Sequence, residues 1–184
     1  MVGRSNVGKS SLINALVRKP LARTSAAPGK TRLVNVYRVS HAPRRPFYLV
    51  DLPGYGYTRG GDRAAMAFEA LTTAYFESRA ASGQNQPERA GVLLLVDARH
   101  PALPNDLAAY DWLAALGRPA AVVATKVDKL TRAERTRAQH ALDHAFNGPV
   151  LPVSAASGEG LKDLWILIER LLSSHPPKLT PRLR

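Results

Sequence analysis

The sequence predicts an α/β fold: a mostly parallel sheet with helices on both faces and one antiparallel pair at its edge. Two observations predict it. Apolar runs of strand length at 91–96, 119–125 and 149–153 alternate with helical patterns, and such alternation buries a parallel sheet between layers of helix. Residues 32–40 and 47–51 also read as strands, but the turn between them, with Pro43, Arg44, Arg45 and Pro46, is too short for a crossover. That pair must therefore be antiparallel.

The elements follow in order. A helix over 9–18 is stopped by Pro20, and a polar, Gly/Pro-containing segment leads to Thr31 and the antiparallel pair. A glycine-rich loop over 51–62 precedes a helix over 63–81. After the strand at 91–96, Asn105 is expected to cap a helix that ends at Gly117. Thr131 and Glu134 have capping-box spacing and open a helix running to 146. Leu161, Leu164, Trp165, Ile168, Leu171 and Leu172 form one apolar stripe on the closing helix. Trp112 and Trp165, in apolar helix patterns, are expected in the core. Residues 1–174 are read as one domain, and 175–184, with Pro176, Pro177 and Pro181, as a disordered basic tail.

Composition narrows the setting. At 184 residues the chain can bury a core without staples, and with no cysteine it forms neither disulfides nor thiolate metal sites, which fits a cytoplasmic protein. Its apolar runs, such as 92–96, are far too short to span a bilayer. The net charge is +12, and no Asp or Glu precedes Asp51. Arg4, Lys9, Arg18, Lys19, Arg23, Lys30, Arg32, Arg38, Arg44 and Arg45 fall in that stretch, more cations than one phosphate ligand needs. Either a polyanion such as RNA docks there, or the composition only keeps the surface soluble.

Gly3, Arg4, Ser5, Asn6, Val7, Gly8, Lys9 and Ser10 match G-x-x-x-x-G-K-S/T in full. In that pattern the glycines let backbone N–H groups turn inward around phosphates, the lysine neutralises the terminal two, and the serine hydroxyl ligates Mg²⁺. Asp51, Leu52, Pro53 and Gly54 follow a strand. Asp51 can reach the Mg²⁺ through water, and the Gly54 N–H the terminal phosphate. Thr31 is the candidate for a second Mg²⁺ hydroxyl, with Thr24 its rival. Such a loop normally hangs from a buried strand, yet only Met1 and Val2 precede Gly3, so the first strand is expected to be truncated and the natural chain to start upstream.

Thr125, Lys126, Val127 and Asp128 decide the base. Guanine presents N1–H and a 2-amino group, two donors that the Asp128 carboxylate can accept together, whereas adenine offers an acceptor at N1. The Lys126 stem can cover the ring, and Ser154 with Ala155 can supply a backbone N–H to guanine O6. The chain is therefore expected to bind GTP and GDP. Ras-like enzymes carry a water-orienting glutamine just after this glycine, but Tyr55 stands here, so hydrolysis should be slow. Asn6 either helps hold a K⁺ ion that replaces the missing positive charge, or only stabilises its turn. Tyr55 and Tyr57 either stack on RNA bases or pack beneath their loop. His140 and His144 have metal-compatible spacing without a third ligand nearby and are read as surface or structural residues.

Together these segments resemble the EngB family (also called YihA or YsxC) of small bacterial GTPases, in the class of TrmE, Era, EngA and septins. The resemblance is carried by the phosphate loop with the residues after it, by 28–32, by the Asp-Leu-Pro-Gly-Tyr-Gly-Tyr run at 51–57, by 96–100 and by 125–129. It implies a Ras-like P-loop fold, GTP hydrolysis, and a role in assembling the large ribosomal subunit from its rRNA and ribosomal proteins. A link to cell division and septation comes with it. The family pattern puts nucleotide contacts at Gly3 to Ser10, at Gly29, Lys30, Thr31, Arg32 and Leu33, at Asp51 to Gly54, at Thr125 to Asp128, and at Val153, Ser154 and Ala155. Mg²⁺ falls on Ser10 and Thr31. Lys9, Thr31, Gly54 and Asn6 are the residues expected to act on the transferring phosphate, in a monomer that needs no membrane. The competing reading is a GTP-gated adaptor of the RNA or division machinery in which hydrolysis is incidental.

Overall fold

The computed structural model describes residues 1–22, 34–40, 46–55, 74, 91–173 and 179–180. At the centre is β4 (Val92–Asp97), buried at all six positions. An apolar strand of that kind has no solvated face and needs cover on both sides. The elements numbered before it are β1 (Val2–Gly3), β2 (Asn35–Val39) and β3 (Phe47–Asp51), and those after it are β5 (Ala120–Thr125) and β6 (Leu151–Pro152). β4 pairs in parallel with β1 on one side and β5 on the other, and β6 extends the sheet beyond β5. Leu94 thus stands between Val2 and Val122, and Asp97 beside Thr125.

β2 and β3 form the expected antiparallel pair, with Asn35 opposite Asp51 and Val39 opposite Phe47. β3 also runs alongside the start of the chain. The Met1 nitrogen donates to the Val50 carbonyl, the Leu52 N–H donates to the Met1 carbonyl at 3.2 Å, and Arg4 pairs in parallel with Tyr55. The strand before the phosphate loop is therefore two residues long, as short as the sequence suggested, with bonds reaching the chain on both flanks.

Two apolar clusters cover the sheet. On one face Leu94, Val96, Val122 and Ala124 pack with Tyr110 and Leu113 of α2 (Pro104–Ala115) and Leu142 of α3 (Arg132–Ala145). On the other, Leu93, Leu95 and Val123 pack with Leu12, Ile13 and Leu16 of α1 (Lys9–Val17) and Leu164, Ile168 and Leu171 of α4 (Leu161–Leu171). Alternate residues of β4 and β5 serve opposite clusters, as the period of a strand requires. Trp112 and Trp165 pack partly buried against these clusters.

The capping box of α3 forms in full: the Glu134 N–H donates to the Thr131 hydroxyl, and the Thr131 N–H donates to the Glu134 carboxylate at 2.7 Å. Asn105, in contrast, does not cap α2. That helix begins at Pro104 after Leu103, with no side-chain cap, because the fixed φ of proline suits the first helical position. The expected helix over 63–81 lies outside the described residues apart from Ala74, which is helical. Most of the tail also lies outside them, but Leu179 packs against the first cluster and the Tyr110 hydroxyl sits 2.7 Å from the Thr180 carbonyl and 2.6 Å from that of Phe146. Among the described residues no helix is long and apolar enough to cross a membrane.

Leu164 is fully buried where α4 meets the sheet. Truncating it by Leu164→Ala is expected to cost about 2–5 kcal/mol in urea unfolding, transfer and cavity terms together. A loss well under about 1 kcal/mol would show that α4 contributes little to the core.

Candidate functional site

The loop from Gly3 to Ser10 joins β1 to α1 at the end of the sheet where the parallel strands finish. Its shape has local causes. A Cβ on Gly3 would lie 2.7 Å from the Leu95 carbonyl oxygen, so only glycine lets the chain leave the sheet so near β4. Gly8, at φ 108, turns the loop into the first turn of α1. Val7 drives its side chain into the core, and its N–H closes a turn on the Arg4 carbonyl at 3.2 Å. Asn6 stands at φ 61, a left-handed conformation in which Asn is several-fold enriched, so its identity has a backbone reason of its own.

Lys9 is buried within this loop, its Nζ donating to the carbonyls of Gly3 at 3.0 Å and Arg4 at 3.3 Å. Burial lowers its pKa, and the charge of Asp51 works against that shift. The Ser10 hydroxyl donates to Asp51 Oδ2 at 3.4 Å. Burial pushes the Asp51 carboxyl up, opposed by Lys9, by the chain's amino group and by the Ser10 bond. Its Oδ1 is buried without a hydrogen-bond partner among the described residues. A hydroxyl beside a carboxylate with an unused oxygen is a hard donor set, and it fits Mg²⁺. Leu52 is buried and Pro53 half-buried. Gly54 rests so closely on the loop that a Cβ there would lie 2.6 Å from the Ser5 nitrogen. Gly29, Lys30, Thr31, Arg32 and Leu33, and the rival Thr24, lie outside the described residues.

The segment from Thr125 to Asp128 is joined to this loop from across the sheet. The Thr125 hydroxyl, buried at the end of β5, lies 2.6 Å from the Val7 carbonyl and 3.1 Å from that of Val96. Lys126, at φ 63, donates through Nζ to the Asn6 carbonyl at 2.6 Å and to Asp97 Oδ2 at 2.9 Å. A Cβ on Gly8 would lie 3.9 Å from the Lys126 Cε. Val127 turns into the core. Asp128 is half-buried, pairs with Lys129 at 3.4 Å and accepts from the Ser154 hydroxyl at 2.6 Å, which is the main reason its carboxyl is held below the usual range. Val153 and Ser154 are buried behind it. The Ser154 N–H is already donated to the Glu159 carbonyl at 2.9 Å.

Comparison with known proteins fits this geometry. A family model described as a 50S ribosome-binding GTPase matches residues 1–126. The probable GTP-binding protein EngB of Pelotomaculum thermopropionicum is 41% identical over 175 residues, covering 92% of this chain and 83% of that relative. Its counterpart in Halothermothrix orenii is 40% identical over 178 residues, covering 94% and 84%. The chain belongs to the EngB family.

Solved structures give the fold of this EngB-family chain. Era of Aquifex aeolicus bound to GDP and AlF4⁻ superposes with a TM-score of 0.73 at 24% identity, covering all of this chain and 57% of that one. This chain therefore spans little more than half of Era's length. The FeoB G-domain of Methanococcus jannaschii superposes at 0.60 with 22% identity, covering 93% and 94%. The antiparallel pair beside a parallel sheet is thus the P-loop GTPase arrangement that the sequence predicts.

Two site residues escape sequence reasoning. Asp97 ends β4 and is 1% exposed; it receives Arg99 Nε at 2.9 Å and Nη2 at 2.8 Å as well as Lys126. Its segment belongs to the family resemblance, and a lone acid closing a six-residue apolar strand was the available signal. Asp106 is buried on α2 and accepts from the Tyr55 hydroxyl at 2.7 Å. Tyr55 is buried too, so of its two readings the structure favours packing beneath the loop over stacking on RNA bases. Tyr57 lies outside the described residues.

Burial alone would raise the pKa of Asp97, but its bonds from Arg99 and Lys126 hold it well below the ordinary carboxylate range. A depressed folded-state pKa contributes stability above the unfolded value that is lost as pH falls through the folded one. Asp97→Asn is expected to cost about 2 kcal/mol near neutral pH, because the Lys126 and Arg99 heads it orphans can turn to water. That deficit should shrink steadily below about pH 4. Urea unfolding of both proteins across that range checks it, and a deficit constant with pH would rule the charge out.

Proposed function

We infer that this EngB-family chain is a GTP-binding and slowly GTP-hydrolysing switch that acts in assembly of the large ribosomal subunit, with a link to normal cell division and septation. One observation carries the nucleotide reading: Asp128, its side chain 18% exposed, stands on the same segment whose Thr125 and Lys126 are bonded to the phosphate loop at Val7 and Asn6. A carboxylate that accepts two guanine donors is thereby held at a set distance from the groups that would take the phosphates. With the Ser154 N–H engaged, Ala155 is the residue left to donate to guanine O6.

In this reading Lys9 neutralises the terminal phosphates, Ser10 and Asp51 hold Mg²⁺, Asp51 through water, and Thr31 adds a second hydroxyl. Mg²⁺ supplies charge neutralisation between the phosphates when bound. Residues 1–174 carry the nucleotide-binding domain and 175–184 a basic tail. The absence of a carboxamide at Tyr55 supports slow intrinsic turnover, and K⁺ held near Asn6 would supply the charge that the chain otherwise lacks. The acid-free first fifty residues support an RNA-rich partner in the cytoplasm. A solved structure of Era in complex with MgGDPNP and a segment of 16S ribosomal RNA supports a ribosomal partner in the wider class. The buried Tyr55 favours the second reading, an adaptor in which hydrolysis is incidental.

Asp128→Ala is expected to weaken GTP binding on the order of 100-fold, leaving two guanine donors unpaired, while ATP binding stays weak in both proteins. Calorimetric titration measures it, and unchanged affinity would remove the base reading. Turnover in K⁺ and in Na⁺ tests the cation, equal rates ending that proposal. Sedimentation with ribosomal subunits tests the partner. Binding to the large subunit or its precursors with GTP and release with GDP is the expected result, and indifference to nucleotide refutes the switch.

A further inference from the structure

Asp106 lies outside every motif segment, yet it is the only acidic side chain of the described residues with no measurable exposure. A buried carboxylate is expensive unless it is held by partners. Its position in the first turn of α2 gains from the helix dipole, but that effect needs no burial and no hydroxyl donor. Burial drives the Asp106 carboxyl toward its neutral form, against the Tyr55 bond and the charge of Arg4, while Asp97 adds to the rise. Its Oδ2 and the Arg4 Nε are both buried without hydrogen-bond partners among the described residues. Among the described residues the Asp106 side chain is thus held by the bond from Tyr55, made across a separation of 51 residues.

Tyr55 is the residue directly after Gly54, and its backbone is engaged on the opposite side. The Ser5 N–H donates to the Tyr55 carbonyl at 2.9 Å, and Arg4 and Tyr55 pair in parallel. Between these attachments Gly54 lies in contact with the Ser5 backbone. The tyrosine is thus clamped at two ends, its carbonyl to the phosphate loop and its hydroxyl to α2.

We propose that Asp106 is a positioning residue: through the Tyr55 hydroxyl, α2 fixes where the Gly54 backbone stands at the rim of the phosphate loop, and so sets recognition of a third phosphate. This rests on the guanine-nucleotide reading above. The first two phosphates fall to the loop from Gly3 to Ser10, which among the described residues feels Asp106 through the charge of Arg4 but shares no hydrogen bond with its side chain. Only a nucleotide with a third phosphate needs the Gly54 N–H in one place, so releasing the clamp weakens that nucleotide selectively.

Tyr55→Phe removes the hydroxyl and keeps the ring. Asp106→Asn keeps an oxygen that can accept from Tyr55, and Asp106→Ala removes it. Affinities for GDP and for a non-hydrolysable GTP analogue, with thermal unfolding of each variant, separate positioning from packing. Tyr55→Phe and Asp106→Ala are expected to weaken the analogue about tenfold, the worth of one buried hydrogen bond, with GDP changed less than about twofold. Asp106→Asn should retain most of the wild-type ratio, and the Tyr55→Phe, Asp106→Ala double variant should be no worse than either single one. Equal losses for the two nucleotides, or additive losses in the double variant, would overturn the proposal. If Asp106→Ala does not fold, Tyr55→Phe and Asp106→Asn decide it alone. Wild-type protein that binds neither nucleotide would overturn the guanine-nucleotide reading, and this inference with it.

Discussion

The site depends on the attachment of the phosphate loop to the end of β5. The two segments are 118 residues apart, yet the Thr125 hydroxyl reaches the Val7 carbonyl and Lys126 reaches that of Asn6. Both bonds are accepted by loop carbonyls, so they draw on none of its N–H groups. The same bonds fix the direction of Lys126, and Asp128 beyond it stays partly exposed. A ligand that spans both ends meets groups already fixed with respect to one another, and little ordering is left for binding to drive.

Around that attachment lies an unusual number of buried charges: Lys9, Asp51, Asp97 and Asp106. Two solutions to the desolvation problem coexist. Asp97 is surrounded by cationic donors and stays ionised, and Lys9 is held by carbonyl oxygens beside the carboxylate of Asp51. Asp51 and Asp106 instead keep unused buried oxygens and are pushed toward neutrality by burial. Incomplete satisfaction of this kind is tolerated where a group has work beyond holding the fold together.

The parts of the site legible in the sequence are those whose function is written in a contiguous stretch. Gly3 to Ser10 and Thr125 to Asp128 act mainly through backbone conformation and one or two side chains, so spacing along the chain is spacing in space. The capping box of α3 was legible for the same reason. Asp97 and Asp106 were not, because what defines them is a partner 29 or 51 residues away. Asn105 has a good capping side chain, but the rigid φ of Pro104 beside it decides where α2 starts. The alternation of strands and helices gave the architecture. It said nothing of how the antiparallel pair joins the parallel sheet, which rests on the bonds of Met1 with β3.

Asp97 has a further consequence for β4. The five residues before it are all aliphatic, and both faces of the strand are covered, so hydrophobicity alone would accept the strand displaced by a residue in either direction. A displaced β4 would draw the carboxylate away from Arg99 and Lys126 and carry it toward the apolar clusters or out to water. The acid therefore acts as a reading-frame mark for the central strand, and it places the rim of the sheet where the loops that surround it can meet.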